Sequence, residues 1–159
     1  MTPAPNPDFM RRAIALASDN VRSARGGPFG AVVVREGRIL GEGANAVTQS
    51  NDPTAHAEVE AIRAACRALR VFTLEGAEIY ASCEPCPMCL AAIYWARIER
   101  IWFGNSSADA ARIAFDDALL YREVALPARD RLIPSAPLLR DEAQESFRLW
   151  LESPNKTPY

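Results

Sequence analysis

Apolar positions at helical spacing open the chain: Phe9, Met10, Ala13, Ile14, Ala17 and Val21 recur at intervals of three and four, with Asp8 placed to cap the first turn. This predicts a first helix that ends before Gly26-Gly27-Pro28. From Phe29 to Arg35 the pattern changes to a short apolar run, Ala-Val-Val-Val. Glu36-Gly37 reads as a tight turn, and Arg38 to Gly43 returns with Ile39 and Leu40. Two strands so closely joined must pair antiparallel, because a parallel pair needs a crossover.

Asn51-Asp52-Pro53-Thr54 supplies turn and capping residues ahead of Ala55 to Leu69, a stretch rich in Ala, Glu, Arg and Leu that predicts a second helix. A strand over Ala77 to Ser82, a helix over Cys86 to Ala96 and a short strand over Ile101 to Gly104 follow. The alternation implies an α/β domain with helices packed on a mixed sheet and sites at strand ends and helix starts. Beyond Asn105 the pattern predicts a helix around Ala108 to Ala114, a proline-punctuated connection after Phe115-Asp116-Asp117, and a closing helix over Glu142 to Leu151. Pro154 to Tyr159 form a loose end.

A chain of 159 residues suits one domain, 1–159, with a proper core. Hydrophobic content of 49% and charged content of 24% exclude a fibrous or disordered class. The first residues lack a basic start and an apolar stretch, and no run approaches a membrane span, so the expectation is a cytoplasmic protein without a membrane partner. A net charge of −2 and a pI near 5.5 favour a small-molecule substrate over nucleic acid.

The candidate chemistry lies in His56-Ala57-Glu58 and Pro85-Cys86-Pro87-Met88-Cys89, and His56 is the single histidine of the chain. His56, Cys86 and Cys89 make three zinc ligands. Structural zinc sites close all four positions with protein atoms, whereas a catalytic site leaves one to water, whose pKa falls to about 7. Glu58 is placed to move protons there, and H-x-E followed by P-C-x-x-C is the signature of zinc nucleobase deaminases. Cys86 and Cys89 lie three apart at a helix start, where the macrodipole favours thiolates. The competing readings are a structural zinc that adds Cys83, an iron–sulfur cluster that also needs Cys66, and a satisfied core histidine. The strand-end position of Cys83 and the helical position of Cys66 make both better suited as small buried side chains.

These motifs resemble the cytidine-deaminase-like superfamily. The resemblance is greatest to its short bacterial guanine deaminases, through Gly26-Gly27-Pro28-Phe29-Gly30-Ala31, Asn51-Asp52-Pro53-Thr54-Ala55, Ala92-Ile93-Tyr94-Trp95-Ala96-Arg97, Phe115-Asp116-Asp117 and Tyr159. The resemblance runs nearly end to end. It implies a three-layer α/β/α mixed sheet, one Zn2+ per subunit, and hydrolytic deamination of guanine to xanthine and ammonia within purine catabolism. It further implies that Phe29 and Trp95 flank the purine, Asn45 hydrogen-bonds it and Asp117 accepts its N–H groups. Finally, it implies a homodimer that exchanges a C-terminal segment, about 140–159, so that Tyr159 reaches a site. Core packing for Phe29 and Trp95, a turn cap for Asn45 and the neighbouring Asp116 remain the competing assignments. Guanosine, an aminotriazine, cytosine or adenosine in transfer RNA are the rival substrates, and a purine-binding module without catalysis is the rival class.

Overall fold

The computed structural model describes residues 4–159. They divide into two compact units, one ending at Ala118 and the other spanning Leu119–Tyr159. The first contains α1 (Pro7–Arg22), β1 (Gly30–Arg35), β2 (Arg38–Ala44), α2 (Val47–Ser50), α3 (Ala57–Leu69), β3 (Glu78–Cys83), α4 (Pro87–Trp95), β4 (Arg100–Asn105) and α5 (Ser107–Ala111). Helix α6 (Ala118–Ala125) straddles the boundary. A 3-10 turn (Ala128–Asp130) and α7 (Arg140–Glu152) follow.

The strands order β2-β1-β3-β4; β1 runs antiparallel to both neighbours, while β3 and β4 are parallel and joined through α4. Alternation along each strand sends side chains to opposite faces. Ala31 and Val33 of β1 and Ile79 and Ala81 of β3 therefore meet Ala57, Ala61, Ala65 and Ile93 of α3 and α4. Val32, Val34 and Tyr80 meet Ala13 of α1 on the other face. Helices cover both faces, so the expected three-layer α/β/α mixed sheet is present.

The predicted turn forms, with φ of 51° at Glu36 and 72° at Gly37, the left-handed pair that two-residue hairpins need. Pairing slips by one beyond it: Val34 opposes Ile39 but Val33 opposes Gly41, which leaves Leu40 as a bulge. The bulge directs Gly41 and Gly43 at α3. A Cβ on Gly41 would lie 2.5 Å from the Ala61 carbonyl oxygen, and one on Gly43 would lie 2.2 Å from that of Ala57. Helix and strand thus touch backbone to backbone, with Ala57, Ala61 and Ala65 as the matching small stripe.

At three places the structure departs from what the sequence predicts. The first helix is capped by Asn6, whose side chain accepts from the Asp8 N–H at 2.9 Å, and not by Asp8. Pro7 takes the first helical position, where its missing N–H costs nothing, and this moves the cap back two residues. The connection after Asp117 is also partly helical, because the Asp116 Oδ1 accepts from the Ala118 N–H at 2.9 Å and starts α6. The short α2 was likewise not foreseen. In the unit Leu119–Tyr159 no residue is buried, and its large apolar side chains, including Ile133, Leu138, Phe147 and Leu151, are exposed. No helix among the described residues is long and apolar enough to cross a membrane.

The close approach of α3 to β2 yields the first prediction. Gly43→Ala should lower unfolding stability by about 1–3 kcal/mol through overpacking against helix backbone. Chemical denaturation would check it, and Gly37→Ala, where an added Cβ meets nothing within 4 Å, is the control for the effect of left-handed φ alone.

Candidate metal centre and active site

The α3 and α4 N-termini carry the candidate ligands. His56 and Cys86 are the N-cap residues of these helices, both in extended backbone conformation, and their carbonyls accept from Glu60 and Leu90 at 2.9 and 2.8 Å. N-cap side chains usually bond back to the helix. Neither of these does. Freed from capping, both side chains turn toward each other, and Pro87 at the start of α4 needs no donor partner. Cys89, one turn into α4, completes the group.

The His56 Nδ1 lies 3.6 Å from the Cys86 Sγ and 3.5 Å from the Cys89 Sγ, and all three donor atoms fall within 4.8 Å of one another. For Zn–S near 2.3 Å and Zn–N near 2.0–2.1 Å, the nitrogen–sulfur edge of a tetrahedron is about 3.6 Å. The donor set therefore fits zinc in both element and spacing. Its electrostatics agree. A hydrogen bond with Cys89, helped by His56, holds the Cys86 thiol down to about 4, while the Cys86 sulfur and burial push Cys89 up. The Cys86 sulfur also raises His56, so the contact that favours a proton on the imidazole equally favours a metal cation in its place.

Glu58 is the second residue of α3 and is only 7% exposed; burial is the main cause that raises its pKa. A buried carboxyl with a raised pKa is suited to hold and return a proton near neutral pH. Cys83 lies outside the ligand group. It is buried at the end of β3, donates to the Ser106 carbonyl at 3.6 Å, and is pushed by burial up to about 11. Cys66 packs half-buried against the α3-side core.

The other candidate residues are placed as follows. Phe29 is half-buried just before β1, in an edge-on contact with Phe115 at 4.9 Å and 86°. Asn45 is 7% exposed just after β2, and its Oδ1 accepts from the Gly27 and Val47 N–H groups, each at 3.4 Å. Asp117 is half-buried, and its carboxyl is raised first by burial and then by the charge of Cys86. Asp116 is exposed and engaged in starting α6. Trp95 sits at the far end of α4 from the cysteines and is 62% exposed, and Tyr159 is 76% exposed. Phe115 is marked in the sequence only by its motif, and Asn20, whose amide nitrogen donates to the Gly27 and Asn45 carbonyls, lies in no motif. A polar residue on the buried stripe of α1 was the signal available for it.

The metal assignment predicts that Cys89→Ala, or His56→Ala, lowers bound zinc from one equivalent per subunit to well below one after dialysis. The affinity loss should be at least about 100-fold, the upper range for residues that only support a ligand. Elemental analysis of the purified variants would measure it, with Cys83→Ala retaining the metal.

Residues 4–105 match the family model of the cytidine and deoxycytidylate deaminase zinc-binding region. Guanine deaminase of Bacillus subtilis (strain 168) is 48% identical over 151 residues, which cover 95% of this chain and 97% of that protein. The X-ray structure of guanine deaminase from Bacillus subtilis matches with a TM-score of 0.94 at 47% identity, over 98% of this chain and 99% of that one. A tRNA-specific adenosine deaminase of Agrobacterium fabrum (strain C58) is 49% identical over 77 residues, 48% of this chain and 51% of its own length. With the His-Cys-Cys donor set assembled at two helix starts, the chain belongs to the cytidine and deoxycytidylate deaminase family of zinc-dependent enzymes and has the fold of its guanine deaminase member.

Proposed function

We propose that this protein converts guanine and water to xanthine and ammonia. The observation that carries this reading is the extent of the guanine deaminase likeness, 95% of the chain, against 48% for the transfer-RNA deaminase. The first covers nearly everything beyond the zinc motifs, and that remainder is where substrate choice must reside. The ligands His56, Cys86 and Cys89 would hold zinc, which when bound acidifies a water in its open fourth position.

The remaining chemistry belongs to the chain's own side chains. Glu58 takes the proton released by the attacking water and passes it to the ring nitrogen beside the carbon that bears the 2-amino group. A second proton, relayed by the same carboxyl, leaves with the departing amine as ammonia. Burial supports this role by raising the Glu58 pKa above the ordinary carboxyl value, so that the group takes up a proton more readily. Phe29, kept edge-on by Phe115, offers a face to the purine. Asn45 makes no hydrogen bond through its Nδ2 among the described residues and can donate it to a base acceptor, because two backbone N–H groups occupy its Oδ1. Asp117 accepts from adjacent purine N–H groups.

Trp95 and Tyr159 belong to the same reading through a homodimer. Support comes from the unit Leu119–Tyr159, which buries none of its apolar side chains and so calls for a cover beyond its own residues. Exchange of its C-terminal part, about 140–159, between two copies would bring Tyr159 to a site and engage the exposed Trp95. Four free cysteines suit the reducing cytoplasm.

Two outcomes are expected. Glu58→Gln should lower kcat for guanine by at least roughly a hundredfold while zinc content stays at one per subunit; near-normal turnover would remove Glu58 from the proton path. Truncation before Pro154 should lower guanine turnover without changing the thermal unfolding of the remaining domain, as measured by ammonia release and calorimetry. Unchanged kinetics would dissociate Tyr159 from the site, and light scattering of the full chain would report the dimer.

A further inference from the structure

Among the described residues four polar side chains are buried, and two of them, Glu58 and Asn45, belong to the site described above. Asn20, near the end of α1, is 2% exposed, and its single amide nitrogen makes two hydrogen bonds. Its Nδ2 donates to the Gly27 carbonyl at 2.9 Å and to the Asn45 carbonyl at 2.8 Å. These two carbonyls come from different segments. One belongs to the loop that leads into Phe29, the other to the end of β2. The same two segments meet again where the Asn45 N–H donates to the Phe29 carbonyl at 3.0 Å.

Gly27 is bonded on both sides of its own residue. Its C=O accepts from Asn20, and its N–H donates to the Asn45 Oδ1 at 3.4 Å. Asn20 thus anchors the loop whose N–H decides which end of the Asn45 amide is occupied and which end is left to donate. The neighbouring Gly26 shows how tightly the junction is closed: a Cβ there would stand 2.4 Å from the Asn45 carbonyl oxygen and 2.9 Å from the Asn20 Nδ2. The other end of Asn20 is held as well, since its backbone carbonyl accepts from the Arg25 N–H at 3.0 Å. A buried amide nitrogen shared between two carbonyls is costly to disturb and fixes their geometry narrowly.

We infer that Asn20 is a positioning residue for base recognition: its amide clamps the Gly27 and Asn45 backbones together and so sets the orientation in which the Asn45 side chain meets the purine. The inference rests on the proposal that Asn45 binds the base. Asn20 makes no hydrogen bond to His56, Cys86 or Cys89 and acts on the base only through Asn45, so its loss should act on binding. Turnover once substrate is bound should survive.

The test is steady-state guanine deamination by Asn20→Ala and Asn20→Ser, beside Asn45→Ala and the double variant Asn20→Ala/Asn45→Ala, all with one zinc per subunit verified. Loss of two hydrogen bonds predicts a KM raised about tenfold or more in Asn20→Ala with kcat within about threefold, and a smaller rise in Asn20→Ser, which keeps one donor. In the double variant the two effects should fall short of their sum, because they act through one amide. A role in stability alone would lower the unfolding temperature and the active fraction while leaving KM unchanged, and this result overturns the inference. Should Asn20→Ala not fold, the KM of Asn20→Ser decides alone. If Asn45→Ala leaves KM unchanged, the base-binding role of Asn45 fails. If Asn45→Ala raises KM and the Asn20 variants do not, only the positioning role fails.

Discussion

Two helix starts point their first residues at one spot, and that convergence is the constraint from which the chemistry follows. A thiolate pair and an imidazole at tetrahedral spacing repel or share protons unless a cation sits among them, so the fold must hold them in place against their own preference. It does so with backbone rather than with long side chains. Gly41 and Gly43 let α3 rest directly on β2, and the Ala57-Ala61-Ala65 stripe removes any side chain that would lift it away. Helix α4 is fixed by the parallel β3–β4 crossover that it makes, with Ile93 in the same core. Both N-termini then meet at the C-terminal end of β3, the edge at which open α/β sheets place their sites.

The same economy extends to the hairpin ends at Phe29 and Asn45. The residues at the beginning of β1 and the end of β2 are paired through the Asn45 N–H and the Phe29 carbonyl, so one hairpin carries an aromatic face and an amide side by side. Phe115 braces the aromatic from across the chain, and Asn20 ties the hairpin ends to α1 on the opposite layer. Phe29 and Asn45 are therefore tied to the sheet and to the α1 layer, and the metal ligands to the α3–α4 layer and the sheet.

What could be read from the chain divides along a physical line. The ligands were legible because zinc chemistry demands particular atoms at particular spacings, and His56, Cys86 and Cys89 do converge. The hairpin was legible because Glu36-Gly37 accommodates left-handed backbone between two apolar runs. The Asn6 cap was missed because Pro7 displaced it, and α6 was missed because its apolar residues Leu119, Leu120 and Val124 find no burial that would have marked a core-facing stripe. Asn20 was hidden for a different reason: a side chain that bonds two distant carbonyls carries no local pattern, only the oddity of an amide on an apolar face. The exposure of Trp95 and Tyr159 was equally unreadable, since residue type alone cannot say whether an aromatic is buried by its own chain or by another.

The claim that ties these features together is that the site acts on a free guanine base. Its most direct test is the rate of ammonia release by the zinc-loaded protein, compared as kcat/KM for guanine, guanosine, adenine, cytosine and an adenosine-containing transfer-RNA hairpin. The account predicts efficient release from guanine and at least about a hundredfold less from every other substrate, a ratio that hydrogen-bonded recognition can supply. Release from the RNA hairpin or from guanosine in preference to guanine would contradict it.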